Sequence, residues 1–525
     1  MTAGFARRVG RSLLLLLPVF VVFSSIDQGQ AQKPDAAYKP VIPKTWDEQA
    51  LADLEVPLAD ARRSPKDIPA DDYYRIPVRP IYKTYPKYRP DREPRGYQEW
   101  LKRREPVVLW DDGAHRPKLV TEADWIKAGE LVYNAPVFVG PHTANADAMR
   151  EFIAKTGDLY DRNGISPFTF YVVRERGRLE TGEVACAECH NRVMPDGTVI
   201  NGAQGNRPVE QVTFFGLTEN AAKVDDKVRF LAEVRQAERT AFAIPWLPSA
   251  PNARLDRLSA AEIEAVHFSI PPGVFARQGT SPFSPAKLPD LIGIKDRHYL
   301  DASGLVRHRG IGDLMRYAAL NQGMDVLARY GDFVPAGTTD LGRSPSVFAQ
   351  LALARYGDEQ LYALALYIYS LKPPPNPNRR TALAVQGEKV FEREGCATCH
   401  TPPLYTNNKL TPADGFTVPD EHRTRFGILP ISVGTDPSLT LTTRRGTGYY
   451  KVPSLKGVWY RGPFEHNGSV ATLDDWFDPR RLRDDYVPTG WKGYGVKTRA
   501  VKGHEYGLKL SADDKRALID FLRTL

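Results

Sequence analysis

Four short segments of the chain place apolar residues at helical spacing, and they form two similar pairs. The first members, AGELVYNA near residue 130 and QGEKVFER near residue 390, each carry a glycine followed by apolar residues three and four positions later. These positions are Gly129, Val132 and Tyr133 in one copy and Gly387, Val390 and Phe391 in the other. The second members, ALALYIYSL at 363–371 and ALIDFLRTL at 517–525, are apolar enough to pack against the first members. The pattern therefore predicts an opening helix packed on a closing helix, twice.

The first 31 residues have the pattern of a secretory signal. Arg7, Arg8 and Arg11 precede an apolar run at 13–23, and small residues lead up to Ala31. This run of 11 residues is shorter than the ~20 that a membrane span needs. We therefore expect cleavage near Ala31 and export to the periplasm or the outside of a Gram-negative bacterium. No later segment is apolar over a comparable length, so the sequence predicts no stable membrane span.

The positive charge of the chain is dispersed. The formal net charge is +8, but even the densest basic cluster, Lys102 to Arg104, has acidic neighbours. This distribution indicates a solvated surface and gives no support for nucleic-acid binding.

The cysteines indicate the cofactor. All four fall in two CxxCH motifs, Cys186-Ala-Glu-Cys189-His190 and Cys396-Ala-Thr-Cys399-His400. This spacing is that of c-type heme attachment, with thioethers from both cysteines and the histidine as axial iron ligand. Short-range disulfides are the alternative, but two matches that use every cysteine favour two covalently bound c-type hemes. The modest positive charge would also offset the heme propionates.

The predicted fold is mainly α with much irregular structure, because 43 prolines and 41 glycines interrupt regular elements. We expect two cytochrome c-like heme domains, at 121–377 and 378–525, separated by the proline-rich segment KPPPNPNRR at 372–380. Gly387 lies nine residues before Cys396, whereas Gly129 lies 57 residues before Cys186, so the first domain carries an insertion of about 48 residues. Residues 32–120, rich in Pro and Tyr, are expected to form an arm wrapped over the first domain.

The ligand opposite each proximal histidine decides whether a heme carries electrons or binds substrate. Residues 379–525 contain no methionine, so the second heme depends on His422, His466 or His504. His422 and His504 lie in charged stretches that we expect to be solvated, whereas His466 lies in a loop dense in aromatic residues, Gly and Pro. We therefore predict iron ligation by His190 and His400, with His466 as the sixth ligand of the second heme.

The stretch KVPSLKGVWYRGPFEHNGSVATLDDW resembles the C-terminal signature of the bacterial di-heme cytochrome c peroxidase and MauG superfamily. The matching residues are Pro453, Ser454, Leu455, Val458, Pro463, His466, Gly468, Thr472 and Leu473. Arg480 stands where relatives have a ligating Met or a Tyr, Asn467 replaces an Asp and Glu465 replaces an aromatic residue.

The form YKVPSLKGVWYR is closer to the secreted di-heme rubber oxygenases, a branch in which the loop histidine itself ligates the second heme. Stretches at 189–206 and 288–301 also resemble this branch. The superfamily further implies a calcium ion near residues 461–463, although Arg461 replaces a Thr of the relatives. Trp459 and Tyr460 adjoin the loop and would relay electrons only if they lay between the hemes, with core packing as the favoured alternative.

By elimination and by this resemblance, we predict that the first heme is open to O2 or H2O2. Its distal candidates have ordinary contexts; they are His142, His267, His298, His308, Met194, Met315 and Met324. We expect His298 and His308 to be exposed and His267 to serve packing. The apolar stretches 167–173 and 240–248 are the candidates for its distal pocket, and Glu183 and Glu188 are nominal candidates for an acid or base.

Three functions remain from the sequence. The first is an oxygenase of the rubber-oxygenase type, with an apolar organic substrate and no acid or base at the open heme. The second is a cytochrome c peroxidase that reduces H2O2 with electrons from a small redox protein or small-molecule donor. The third is a non-catalytic di-heme electron carrier, which the size of the first domain disfavours.

Overall fold

The computed structural model of the chain describes residues 38–142, 145–247, 251–276, 280–338 and 352–525. The predicted signal sequence lies outside the described residues. Within those ranges, no helix combines the length and apolarity needed to cross a bilayer.

Short helices and long irregular segments make up most of the described chain. The helices up to residue 371 are α1 (Glu48–Leu51), α2 (Ala70–Arg75), α3 (Tyr97–Lys102), α4 (Glu122–Asn134), α5 (Ala146–Thr156), α6 (Cys186–His190), α7 (Val209–Phe214), α8 (Leu217–Lys223), α9 (Lys227–Phe242), α10 (Ala260–Phe268), α11 (Ile311–Asn321) and α12 (Asp358–Ser370). Those after it are α13 (Ala382–Arg393), α14 (Asp420–Arg425), α15 (Ser438–Leu441), α16 (Leu473–Trp476) and α17 (Ala512–Arg523). The proline-rich segment 372–380 between the two sets has no regular secondary structure.

The strands are short, and all pair antiparallel. They are β1 (Ile81–Tyr82), β2 (Thr84–Tyr88), β3 (Val108–Trp110), β4 (Phe138–Pro141), β5 (Ile165–Glu175), β6 (Arg178–Glu183), β7 (Asn191–Val193), β8 (Val199–Asn201), β9 (Val274–Phe275), β10 (Ala286–Lys287), β11 (Tyr299–Leu300), β12 (Val306–Arg307), β13 (Leu410–Pro412) and β14 (Tyr449–Lys451). Most form two-stranded pairs, whereas β2, β5, β6 and β4 form one four-stranded sheet in that order.

Two helix pairs reproduce the repeat seen in the sequence. Helix α4 packs on α12, and α13 packs on α17. A β-carbon at Gly129 would lie 2.0 Å from the carbonyl oxygen of Ala363, and one at Gly387 would lie 1.9 Å from that of Ala517. Because only glycine lets the backbones approach this closely, the two glycines occupy equivalent crossing points. Side-chain caps begin three of these four helices, with Thr121 on α4, Thr381 on α13 and Ser511 on α17.

The four-stranded sheet corrects the prediction of a mainly α fold, since the structure is mixed helix and strand. The insertion between the opening helix and the first CxxCH motif supplies β4, α5, β5 and β6. The stretch PFTFYVV at 167–173, predicted as a pocket lining, lies in strand β5, where aromatic and β-branched residues are favoured. Its apolar run marks a strand largely buried on both faces rather than a heme pocket.

The segment before residue 121 packs against the rest of the structure at several places. Strand β2 pairs with β5, and Trp46, Tyr73 and Trp110 are buried in the largest apolar cluster, which reaches to Ile368. The same segment touches the second half of the chain, where the Ala59 amide donates to the Gly446 carbonyl at 2.9 Å. The segment therefore packs along both halves of the molecule.

Candidate functional site

The first CxxCH motif forms the short helix α6 directly after the sheet. One helical turn brings Cys186 and Cys189 to the same side, and no disulfide joins any of the four cysteines. The Nδ1 of His190 lies 3.1 Å from the Pro289 carbonyl oxygen, to which it can donate. A donor bond from Nδ1 orients Nε2 for a metal, as expected of an axial ligand.

The second CxxCH motif repeats this arrangement around a 3-10 turn, Cys396–Thr398. The Nδ1 of His400 lies 3.1 Å from the Pro453 carbonyl oxygen and 3.2 Å from that of Tyr405. Burial lowers the pKa of His400 to about 4, so the imidazole is neutral, which is the ligating form.

A cavity of about 300 Å³ surrounds the first motif. Its apolar lining comes from several elements, including Val137, Val209, Phe242, Phe275, Leu288, Leu291, Leu314 and Leu364. Ala241 and Phe242 belong to the predicted stretch 240–248, whose last residue lies outside the described ranges, so this part of the pocket prediction agrees with the structure.

Apart from His190, the described lining of the first cavity includes no histidine and no methionine. His142 contacts Thr181 Oγ1 at 3.0 Å, His298 is exposed, and Met194, Met315 and Met324 pack in apolar clusters. His267 is fully buried between Glu210 and Glu238. His308, predicted to be exposed, is instead buried with Nε2 2.6 Å from the Tyr369 hydroxyl, because strand β12 carries the chain inward just before it.

Three carboxylates line the first cavity: Glu188, Asp301 and Asp325. Glu188 is paired with the buried guanidinium of Arg207, and Asp301 accepts a hydrogen bond from the Tyr317 hydroxyl at 2.9 Å. Asp325 Oδ1 is buried with no hydrogen-bond partner among the described residues. Glu183 does not belong to the lining. Asp325 escaped the sequence analysis because it lies about 140 residues after the first motif without any local signature.

A second cavity of about 220 Å³ surrounds the other motif, and three histidines line it: His400, His466 and His504. In His466, Nδ1 lies 2.9 Å from Glu465 Oε2, and Nε2 is buried without a partner among the described residues. Hydrogen bonds from His466 hold the pKa of Glu465 at about 2 although burial opposes this. A histidine oriented by a carboxylate, with its other nitrogen unpaired, has the form of a metal ligand.

The prediction that His504 is a solvated surface residue was wrong. Its ring lies 6.1 Å from that of His400, centre to centre, and packs against Trp476 and Tyr506. Two imidazoles bound to opposite sides of one metal at about 2 Å each would have ring centres roughly 6 Å apart. The separation makes His504 a second candidate for the ligand opposite His400, beside the predicted His466, whose ring packs on Tyr450 at 4.6 Å.

His422 was also wrongly expected to be solvated. It is buried, and its Nδ1 lies 2.9 Å from the Tyr449 hydroxyl, outside the second cavity. The other residues of the short helix α14 are exposed, and His422 is the one that this helix turns inward.

The two cavities share a wall formed by Lys287 and Ala302, which line both. The Lys287 amide donates to the His466 carbonyl at 2.8 Å, and Pro289, two residues further on, faces His190 Nδ1. A path of backbone and two hydrogen bonds thus connects His190 with His466. Trp459 and Tyr460 line neither cavity; they pack in an apolar cluster with Ile200, so the packing alternative holds for them.

The donor sets fit covalently bound heme. Each cavity combines two thiols, an oriented imidazole and an apolar lining with cationic side chains, which suit the propionates of a heme. The cations are Lys287 and Arg445 in the first cavity and Lys287, Lys451 and Arg461 in the second. Burial lowers the pKa of Lys287 to about 8, a cost that a neighbouring carboxylate would relieve.

The calcium site expected near residues 461–463 is not supported. The carbonyls of Gly462 and Pro463 accept hydrogen bonds from Arg192 at 3.1 Å and Gln204 at 2.9 Å. The positive charge of Arg192 opposes a cation at the same oxygens. Among the described residues, no group of three or more His, Cys, Asp or Glu side chains is arranged to hold a metal ion.

Comparison with known proteins gives a distant relative. The chain is 25% identical over 162 residues to the cytochrome-c peroxidase IdrP2 of Denitromonas iodatirespirans, a match covering 28% of this chain and 40% of that protein. Two solved structures align with the chain, each at a TM-score of 0.27. Hydrazine synthase of Kuenenia stuttgartiensis is 16% identical over 56% of this chain and 87% of its own. A MauG-like protein associated with microbial copper homeostasis is 18% identical over 57% of this chain and 88% of its own. Likeness this low supports no argument from either structure, and no protein-family model matches the chain. The match spans less than half of the relative's length, so it shows similarity to part of a cytochrome-c peroxidase.

Proposed function

We propose that the chain is an exported di-heme c-type cytochrome oxidoreductase that reduces H2O2 at the heme held by His190. The heme held by His400 would be the electron-transfer centre, with a second histidine as its sixth ligand. The electron donor would be a small redox protein or a small molecule. The proposed location is the periplasm or the cell exterior, after cleavage near Ala31.

The difference between the two cavities is the observation that carries this proposal. The second cavity offers two histidines besides His400, whereas the described lining of the first offers neither His nor Met besides His190. A six-coordinate iron suits electron transfer, and an iron with an open position suits the binding of a small oxidant. The non-catalytic electron carrier is disfavoured for the same reason.

Bound heme would supply the redox-active iron, and the residues of the chain position it and move protons. Cys186, Cys189 and His190 would hold the first heme, and the cations of the cavity would meet its propionates. Cleavage of the O–O bond of a peroxide needs a group that transfers a proton. Asp301 and Asp325 bring carboxyl groups to the first cavity, which supports peroxide as the oxidant.

An oxygenase that uses O2 on an apolar organic substrate is the second candidate. It agrees with the apolar lining of the first cavity and with the resemblance of the loop at 449–460 to the rubber-oxygenase branch. The lining carboxylates count against it, since that mechanism predicts a pocket without an acid or base.

The test uses holoprotein from a host that attaches c-type heme. The dithionite-reduced spectrum is recorded with and without carbon monoxide, which binds only an iron with an open or weakly held position. We expect a shifted Soret band for half of the heme, followed by faster turnover with H2O2 than with O2. A spectrum unchanged by carbon monoxide would contradict an open first heme, and O2-dependent oxidation of an apolar substrate would favour the second candidate.

A further inference from the structure

A buried group of acids and arginines lies beside the first cavity. It comprises Glu55 and Asp67 from the N-terminal segment, Asp325 and Tyr330 from the segment after α11, and Arg444 and Arg445 after α15; a bridge between Lys66 and Arg329 brings Asp67 beside Tyr330. We call these six residues the acid–arginine cluster. Arg445 is one of the cations that suit a heme propionate, but the heme attachment described above requires none of the other five.

Two arginines organise the cluster. Arg445 Nη1 pairs with Glu55 Oε1, and Arg444 Nη1 donates to the Thr240 carbonyl at 2.9 Å. Both guanidinium groups lie over the Tyr330 ring, at 5.6 Å for Arg444 and 5.8 Å for Arg445. The side chains are thus held in place by cation–π contacts and by one buried ion pair.

Many polar atoms of the cluster are buried without a partner among the described residues. They are Glu55 Oε2, Asp67 Oδ1, Asp325 Oδ1, the Tyr330 hydroxyl, and Nε and Nη2 of both Arg444 and Arg445. Tyr330 and Arg444 are fully buried, and Asp325 is 4% exposed. Since buried polar groups are almost always hydrogen-bonded, so many unpaired atoms in one place indicate ordered water between them.

The cluster connects the first cavity with the periphery of the molecule. Asp325 and Arg445 line the cavity, whereas Glu55 and Asp67 are partly exposed on the N-terminal segment. A water chain through the cluster would have an acidic side chain at each end, Asp325 at the cavity and Asp67 on the N-terminal segment.

We propose that the acid–arginine cluster is a proton path that supplies the first cavity from solvent, with Asp67 as its outer group and Asp325 as its inner group. This rests on the proposed peroxide reduction, in which H2O2, two protons and two electrons yield two molecules of water. The electrons come from the one-electron donor by way of the second heme. Each proton leaves Asp325 for a peroxide oxygen, and the carboxylate is protonated again through the chain of water and Asp67.

Burial and the neighbouring carboxylates favour a proton on Asp67 and on Glu55. Burial first, then the nearby Glu55, raises the pKa of Asp67 to about 7, and burial raises the pKa of Glu55. The positive charge of Arg445 lowers the pKa of both acids. The charge of Asp325 raises the pKa of both, and Asp301 also raises that of Glu55. A carboxyl group whose pKa lies near neutrality can both accept and release protons at physiological pH.

The experiment compares Asp67→Asn and Asp325→Asn with the exposed control Asp332→Asn in holoprotein. Reduced protein is mixed with H2O2 in weak buffer, and a pH-indicator dye reports the rate of proton uptake. We expect Asp67→Asn to slow proton uptake about tenfold, less than the ~10²–10⁴ that a directly acting acid or base contributes. Asp325→Asn should slow it at least as much, and Asp332→Asn should match the parent protein.

Heme content, the carbon monoxide spectrum and the thermal unfolding temperature of each variant separate the explanations. Slow proton uptake with all three unchanged supports the path. Normal proton uptake in Asp67→Asn and Asp325→Asn, in protein that binds carbon monoxide at the first heme, overturns the path and leaves the proposed function intact. If a variant loses heme while the molecules that keep heme take up protons at the normal rate, the proton path is overturned, and the cluster instead serves to anchor a heme propionate. Failure of carbon monoxide to bind the parent protein refutes the proposed function and the path with it.

Discussion

Replacing Gly387 by alanine should destabilise the second heme site. The new β-carbon would lie 1.9 Å from the Ala517 carbonyl oxygen and 2.8 Å from Phe521 Cβ. Contacts of a β-carbon below about 3 Å are essentially never seen, so α13 and α17 would have to separate by roughly 1 Å. No rotamer change relieves a clash with backbone.

The expected size follows from two opposing effects. Alanine gains about 1 kcal/mol over glycine in a helix, whereas overpacking of this kind costs ~1–3 kcal/mol. Because the clash is with backbone, we take the upper end, which leaves a net loss of ~2 kcal/mol in the free energy of unfolding. Phe391, Leu518 and Leu522 line the second cavity from these helices, so the Soret circular dichroism should change as well.

The assay is urea unfolding of the holoprotein, followed by Soret circular dichroism and tryptophan fluorescence. Gly129→Ala should cost a similar amount at the equivalent crossing, where the β-carbon would lie 2.0 Å from a carbonyl oxygen. Gly310→Ala is the matched control, since a β-carbon there meets no atom within 4 Å. If Gly387→Ala unfolded at the same urea concentration as Gly310→Ala, the argument from close helix packing would be refuted.

Three further predictions concern the interior of the protein. His466→Ala and His504→Ala test which histidine is the sixth ligand of the second heme: carbon monoxide should bind this heme only in the variant that has lost the ligand, as shown by the fraction of the Soret band that shifts; binding in neither variant would refute a histidine in this role. Lys287→Pro deletes the amide that donates to the His466 carbonyl, so electron transfer between the hemes, measured after photolysis of carbon monoxide from half-reduced protein, should be slower than in Lys287→Ala, which loses the same charge but keeps the amide; equal rates in the two variants would eliminate this path. His267 lies between two buried carboxylates that, against the effect of burial, raise its pKa from 6.5 to about 9, so its contribution is complete below pH 6.5 and is lost as the pH rises to about 9. At ~1.4 kcal/mol per pKa unit this amounts to ~3 kcal/mol, and urea unfolding of His267→Gln and the parent protein should therefore differ more at pH 6 than at pH 9; a difference independent of pH would contradict it.

Local patterns in the sequence predicted those features that depend on neighbouring residues. The CxxCH motifs and the paired helices are of this kind, because spacing within one or two helical turns determines which atoms meet. The packing role of Gly129 and Gly387 could also be predicted from neighbouring residues, since each glycine lies on the apolar face of its helix.

Features built from distant segments were not predictable in this way. Strand β5 looked like a pocket lining because its apolar run is the same whether the partner is a heme or β2, some 80 residues earlier. His504 looked exposed because glycines and charges surround it in the sequence, and only the fold carries it to His400. Asp325 and the acid–arginine cluster combine three separate segments, none of which has a motif.

The shared wall of Lys287 and Ala302 has a thermodynamic consequence. Gln204 of the first half also lines the second cavity, while Leu439, Thr443 and Arg445 of the second half line the first. Filling either cavity therefore orders residues that the other needs, and any such coupling free energy is the same in both directions. A chain with one heme should hold its remaining site less firmly than the complete protein, so the two halves would not behave as independent cytochromes if expressed apart.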